Sequence, residues 1–216
     1  MEKKKTKLWK KILSIILIIL LILLLVILFR YHIITTVQQK NEESDKRTNC
    51  YYYSETEDTI MEYWRKDGIM KLNVKQVKGT GDITFWEDTK SGEELVFWNA
   101  PEKIYSKGNG GMIKKLPTGM MFTEENSIRF LMAANPMLHI GSKKYNDKEC
   151  YSFKIDEQEE LIEKETGLIL YSNNVNYRKL SYSFDNVTDK DVERLDITKY
   201  RLIENDGDFL FHEEGK

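Results

Sequence analysis

Histidine and cysteine are scarce in this chain of 216 residues, which has three of the first and two of the second. His32, His139 and His212 stand apart, with no second His or Cys at ligand spacing, so neither a metal site nor a histidine-activated nucleophile is expected. The glycine-rich stretch 108–111 has no phosphate fingerprint, because Ile113 stands where such a loop needs glycine; it reads as a mobile loop. Asp185, Asp189 and Asp191 lack the Gly and the final Glu of a calcium loop and read as a solvated turn. Glu157, Glu159, Glu160, Glu163 and Glu165 crowd one hairpin and read as a wet face, with no sign of the burial that separates the pKa values of a catalytic carboxylate pair. No internal repeat at a fixed period and no low-complexity segment appears. These absences leave no catalytic residue, metal or cofactor to name, and the chain is not expected to be an enzyme.

What the sequence does have is one long apolar run. From Ile12 to Phe29 only Ser14 interrupts it, and no charge falls inside. At about 1.5 Å per helical residue it covers roughly 27 Å, close to the hydrocarbon thickness of a bilayer. Trp9 and Tyr31 flank it at interfacial depth. Lys3, Lys4, Lys5, Lys7, Lys10 and Lys11 precede it, whereas Arg30 and His32 follow, a bias that puts the N-terminus in the cytoplasm and the remainder outside. A cleaved signal peptide is the poorer reading, since the run is long and Phe29-Arg30-Tyr31-His32 is a poor cleavage site. No cysteine lies close behind it for lipoprotein processing. The expected layout is a basic tip at 1–11, a transmembrane helix at 12–29, a polar tether or frayed helical extension at 30–49, an extracytoplasmic domain at 50–205 and a tail at 206–216.

The formal net charge of −2 hides an asymmetry, because the Lys-rich tip is offset by an acidic exterior. An acidic exterior argues against nucleic acid and against docking on anionic headgroups. Cys50 and Cys150 both fall outside, where a disulfide is permitted; they are either joined across a loop of about a hundred residues or two unpaired buried thiols.

Past residue 49 the pattern changes from helical to strand-like. "CYYYS" is rich in β-formers, and "TIMEYWRKDGIMKLNVKQV" reads as two strands around Asp67-Gly68. Met70, Leu72 and Val74 alternate with Lys71, Asn73 and Lys75, giving one buried and one wet face. "DITFWEDTKSGEELVFWNA" pairs across Ser91-Gly92, and "EKIYSK" adds a short strand. A helix follows, with Thr123 as N-cap, Glu124 and Glu125 at its positive end and Asn135-Pro136 as its stop. Its Ile128, Leu131 and Met132 share a stripe suited to covering a sheet. Strands return in "ECYSFKI", "ELIEKETGLILY" and "YRKLSYSFDNV"; "TDKDVERLD" reads as a helical turn before a last strand, "KYRLIE". Asn186-Val187-Thr188 fits a glycan acceptor where the host has that machinery. The expected class is α+β: a transmembrane helix, then a curved antiparallel sheet packed against a mid-chain helix.

Aromatic residues crowd both meanders. In the adjacent pairs Phe85-Trp86 and Phe97-Trp98, strand alternation puts one ring on each face. Ordinary core is one account. The other is an apolar cavity under the helix, able to hold an acyl chain and lined by Trp64, Leu72, Phe85, Trp86, Phe97, Trp98, Met120, Met121, Phe122 and Leu131.

The hairpin "YWRKDGIMKLNV", the pair "GDITFWED" and "ELVFWNAPEKIYS", the helix before "NPMLHIG" and the stretch "KECYSFKIDEQEELIEKETGLILYS" together give the chain a likeness. Over roughly residues 50 to 205 it resembles the LolA-like superfamily of bacterial envelope proteins, which includes lipoprotein carriers and RseB-type regulators. The resemblance implies an open half-barrel with an apolar concave face, and binding without catalysis. The carriers are soluble shuttles and this chain is anchored, which favours local presentation of a lipid or lipoprotein, or sensing of an envelope protein partner. A single-membrane envelope suits an anchored version. Two functions are therefore expected: an anchored binder of lipid or other apolar ligands, or an envelope interaction or sensor module with a closed core.

Overall fold

In the computed structural model the apolar run is the middle of a longer helix, α1 (Glu2–Asp45), whose 44 residues span about 66 Å. The structure describes residues 2–79, 81–99, 102–108, 126–173 and 179–203, without the side chains of 2–8. Met120, Met121, Phe122, the proposed cap Thr123, the glycine-rich loop beyond Gly108 and His212 lie outside these residues. From Trp9 onward α1 is long and apolar enough to cross a membrane, and none of its most apolar stretch is buried within the protein.

Beyond Phe29 the helix does not fray into a tether. Ile33, Ile34, Val37, Gln38 and Asn41 recur at helical spacing and are all buried, so a stripe on this polar-looking stretch faces protein. The sequence concealed it because two of the five residues are amides. The chain falls into two compact units, Met1–Glu42 with Met120–Leu168, and Glu43–Gly119 with Ile169–Lys216, where the sequence suggested one domain over 50–205.

The first unit holds most of α1, the short helix α2 (Asn126–Ala134) and strands β7 (Leu138–Tyr145), β8 (Lys148–Ile155) and β9 (Gln158–Glu163). β7 went unread in the sequence, masked by Gly141 and three polar residues in a row. Its hairpin with β8 turns at Asn146 and Asp147, both at positive φ (47° and 62°), as a tight two-residue turn demands. α2 is held against α1: Arg30 Nη1 donates to the Asn135 carbonyl (3.0 Å), a cation on a helix C-terminus, and the Tyr31 and Phe130 rings meet edge-on at 6.2 Å. Gly167, at φ +69°, lies so close to α1 that a Cβ would sit 2.5 Å from both the Asn41 nitrogen and the Val37 oxygen. Asn41 Nδ2 donates to the Gly167 carbonyl across this contact (3.2 Å). The glutamate run is only partly wet, because Glu160 and Glu163 are buried. Glu163 accepts from Thr166 Oγ1 and pairs with Lys148 at 3.0 Å, and Glu159 pairs with Lys143, which with Ser152 holds its carboxyl below the usual range.

The second unit is built on an eight-stranded sheet of order β11-β1-β2-β3-β4-β5-β6-β12. Its strands are β1 (Asn49–Glu55), β2 (Thr59–Lys66), β3 (Ile69–Gln76), β4 (Asp82–Asp88), β5 (Glu93–Trp98), β6 (Ile104–Lys107), β11 (Lys179–Phe184) and β12 (Arg201–Leu202). β1 to β6 form an antiparallel meander; β11 returns to pair β1, and β12 adds the sheet's parallel edge beside β6. Asp67 (φ 51°) and Gly68 (φ 95°) make the expected tight turn between β2 and β3. The second unit also holds the short strand β10 (Ile169–Ser172). In "TDKDVERLD" the chain makes hydrogen-bonded turns and no regular helix, Asp191 N donating to the Thr188 carbonyl and Glu193 N to the Lys190 carbonyl. A 3-10 turn follows at Ile197–Lys199, capped by Asp196. The class is α+β, with one long apolar helix, a large and almost wholly antiparallel sheet and a second helix.

Candidate functional site

Strand register decides what the aromatic residues of the second unit can do. Tyr52, Tyr63, Leu72, Phe85 and Val96 lie opposite one another in successive strands and therefore share a face. Tyr51, Trp64, Lys71, Trp86 and Leu95 form the neighbouring row and point the other way. The first face carries a cluster of Cys50, Tyr52, Tyr63 and Met70, with Leu72, Phe85, Leu180, Tyr182 and Phe184 packed around it. The second carries Trp86, Leu95 and Phe97, with Ile69, Tyr105, Leu195, Ile197 and Tyr200. Of the residues expected to line one apolar cavity, Leu72, Phe85 and Trp98 are thus on one face and Trp64, Trp86 and Phe97 on the other. Leu131 belongs to α2 in the other unit and is 68% exposed. The set is not one lining.

On the second face the chain from Val187 to Tyr200 forms a strap over the sheet. Trp86 Nε1 donates to the Val192 carbonyl (2.9 Å), Lys71 Nζ to the Glu193 carbonyl (3.3 Å) and the Tyr200 hydroxyl to Asn99 Oδ1 (2.7 Å). Asn49 clamps its start, donating to the Val187 carbonyl (3.0 Å) and accepting from the Val187 nitrogen (2.9 Å). Asp191 closes a small turn by accepting from the Thr188 nitrogen (2.8 Å) and hydroxyl (2.7 Å), two bonds that hold its carboxyl below the usual range. Asp189 pairs with Lys66 at 2.6 Å. The three aspartates are therefore turn and surface groups, and among the described residues no group of three or more His, Cys, Asp or Glu is placed to hold a metal.

Where the strap begins, it leaves an open recess of about 250 Å³ lined by Tyr51, Trp64, Ser183, Asn186, Val187 and Asp191. The Tyr51 and Trp64 rings, neighbours across β1 and β2, sit 5.5 Å apart and tilted by 43°. The Tyr51 hydroxyl donates to Glu62 Oε1 (3.2 Å); burial, and then that carboxylate, push its pKa up to about 12. Lys71 Nζ stands 5.8 Å over the Trp64 ring, and partial burial lowers its pKa. Two rings, a carboxylate, an amide and a hydroxyl make an amphipathic seat. Trp64 was legible as a candidate; Tyr51, Ser183, Asn186, Val187 and Asp191 were not, because long-range pairing of β11 with β1 brings them together and no spacing announces it.

Cys50 and Cys150 are both free and buried, on β1 and β8. They belong to different units, Cys50 to the second and Cys150 to the first. Burial raises the pKa of both thiols, opposed at Cys50 by Arg65. Arg65 Nη2 in turn donates to the Asp45 carbonyl at the end of α1.

No family model matches the chain, and no curated protein matches it. Among solved structures it is similar to PNGF-II in a P21 crystal form, at 10% identity and a TM-score of 0.30, covering 73% of this chain and 32% of that one. The C2 form gives 11% identity, a TM-score of 0.27 and coverage of 73% and 30%. The chain thus spans about a third of the length of the structures it matches, and a likeness this loose carries no argument about fold or function.

Proposed function

We propose that the chain is a membrane-anchored, extracytoplasmic and non-catalytic interaction module, which presents the Tyr51–Trp64 recess to an envelope protein partner. The observation that carries this reading is the division of the aromatic residues between the two faces of the large sheet, where Trp86 and Phe97 are already committed to packing under the strap. α1 supplies the anchor through residues 12–29, with the lysine-rich tip in the cytoplasm and the rest outside. The recess offers rings for an aliphatic stem or a ring, and Ser183, Asn186 and Asp191 for a polar end.

The reading as an anchored binder of lipid or lipoprotein, with the half-barrel that the LolA-like resemblance implies, keeps one specific support. Leu72, Phe85, Leu180, Tyr182 and Phe184 on the first face are only partly buried and pack around the cluster of Cys50, Tyr52, Tyr63 and Met70. A photo-crosslinker placed at Ser183 in the full-length chain, in cells, separates the two. The interaction module gives a discrete protein adduct that disappears with Trp64→Ala. If no such adduct forms and the purified full chain binds a fluorescent fatty acid saturably at micromolar levels, the apolar-ligand reading replaces it.

A further inference from the structure

α2 has its apolar stripe on the wrong side for a helix that covers a sheet. Ala133 is fully buried, whereas Ile128 is 38% exposed, Phe130 45% and Leu131 68%. Met137, just past the helix end, is 50% exposed. Ile128 and Leu131, three residues apart, are neighbours on the helix surface. A cluster of large apolar side chains facing outward around one short helix marks a contact surface.

Its place along α1 says what the contact is. Arg30 and Tyr31 are the first residues after the apolar run, and both grip α2: Arg30 through the Asn135 carbonyl at 3.0 Å, Tyr31 through the Phe130 ring at 6.2 Å. α2 is therefore fixed within one side chain's reach of the point where α1 leaves the hydrocarbon. The lipid-facing side chains of α1 continue down to Phe29, itself 64% exposed, so the apolar surface of α2 adjoins an apolar surface already assigned to the bilayer. Within Asn126–Ala134 Arg129 is the one formal charge, and Glu124 and Glu125 directly precede the helix in the sequence, so the attachment is apolar and not electrostatic.

We propose that α2 lies at the headgroup–acyl boundary of the membrane that α1 crosses, with Ile128 and Leu131, its outward neighbours on one face, inserted. This makes the first unit a two-point membrane attachment, a spanning helix with a shallow helix beside it, and fixes the rotation of the unit about α1 as well as its height. The inference rests on the reading of residues 12–29 as a span.

The test is spin-label depth measurement on the full-length chain in phosphatidylcholine–phosphatidylglycerol nanodiscs, with Cys50 and Cys150 left in place as buried thiols. Single labels go at Leu20→Cys in the span, Leu131→Cys on α2 and Lys144→Cys on exposed β7. The expected result is that labels 20 and 131 both collide with oxygen and are shielded from a water-soluble nickel chelate, the nickel collision rate at 131 falling several-fold below that at 144. A lipid-embedded label at 20 with a nickel-accessible label at 131 overturns the proposal and leaves the span standing. A nickel-accessible label at 20 overturns both.

Discussion

Both compact units bury a core, but the first also turns long apolar surfaces outward. In the second, Tyr63 and Phe97 are fully buried on opposite faces of the sheet, and the chain after Val187 folds back to cover one of those faces. In the first, the largest apolar surfaces, along α1 and on α2, point outward. The same residue types thus serve as protein core in both units and, on the reading proposed above, as a lipid contact in the first as well. What separates the roles is whether a second layer of chain is available to exclude water.

The largest test of this contrast is one kind of truncation made in both units. Phe97→Ala removes a ring with no exposure from a closed core and is expected to cost about 3–5 kcal/mol, lowering the melting temperature of the full chain in detergent by roughly 10 °C. Leu131→Ala, on the exposed face of α2, should change stability by less than about 0.5 kcal/mol. Comparable losses in the two variants would mean that α2 is covered by protein.

A second comparison uses two glycines of nearly equal φ. Gly92 (φ +71°) turns between β4 and β5 in open space, where a Cβ would meet no atom within 4 Å, whereas Gly167 (φ +69°) presses on the α1 backbone. Gly92→Ala carries only the left-handed backbone cost, about 1 kcal/mol. Gly167→Ala adds two backbone clashes that no side-chain motion relieves, so its loss is expected to be at least about twice as large. Thermal unfolding of the two variants measures the difference, and equal losses would show that α1 does not pack on the Gly167 turn.

Within the second unit the strap and the meander can be separated. Trp86→Phe keeps a large ring under the strap but removes the Nε1–H that binds the Val192 carbonyl. The expected loss is about 1 kcal/mol. Limited proteolysis should then cut between Val192 and Tyr200 sooner than in the parent, with cleavage in the meander unchanged. Unchanged cleavage at the strap would assign its hold to the Asn49, Lys71 and Tyr200 hydrogen bonds.

Local chemistry made much of this legible in advance and long-range pairing concealed the rest. The Asp67-Gly68 and Ser91-Gly92 turns, and the alternation in "IMKLNV", are short-range signals, and β2 to β5 appeared where they pointed. The stripe of Ile128, Leu131 and Met132 was also legible as a stripe, but periodicity tells which residues share a helix face and not what that face meets. On α1, Gln38 and Asn41 disguised a packed stripe because the nitrogen of each amide finds a partner, Gln38 Nε2 in Glu42 and Asn41 Nδ2 in the Gly167 carbonyl. The recess needed β11 to be placed beside β1, and residues more than a hundred positions apart carry no mark of that pairing.

The smallest expected effect concerns the turn that supports the recess. Asp191 has its folded pKa held below the usual value of about 3.9 by the Thr188 nitrogen first and the Thr188 hydroxyl second. A carboxyl with a depressed folded pKa binds fewer protons folded than unfolded, so it adds stability above the unfolded value, and that stability is lost as pH falls through the folded value. Thr188→Val removes the hydroxyl bond and keeps the backbone one. The parent should therefore melt slightly above Thr188→Val at pH 6, and the gap should close below about pH 4 as Asp191 protonates in both proteins. The effect is small because Asp191 sits at the surface, where water screens its charge. A gap that persists unchanged at about pH 3 would trace it to the added valine side chain and not to the carboxylate.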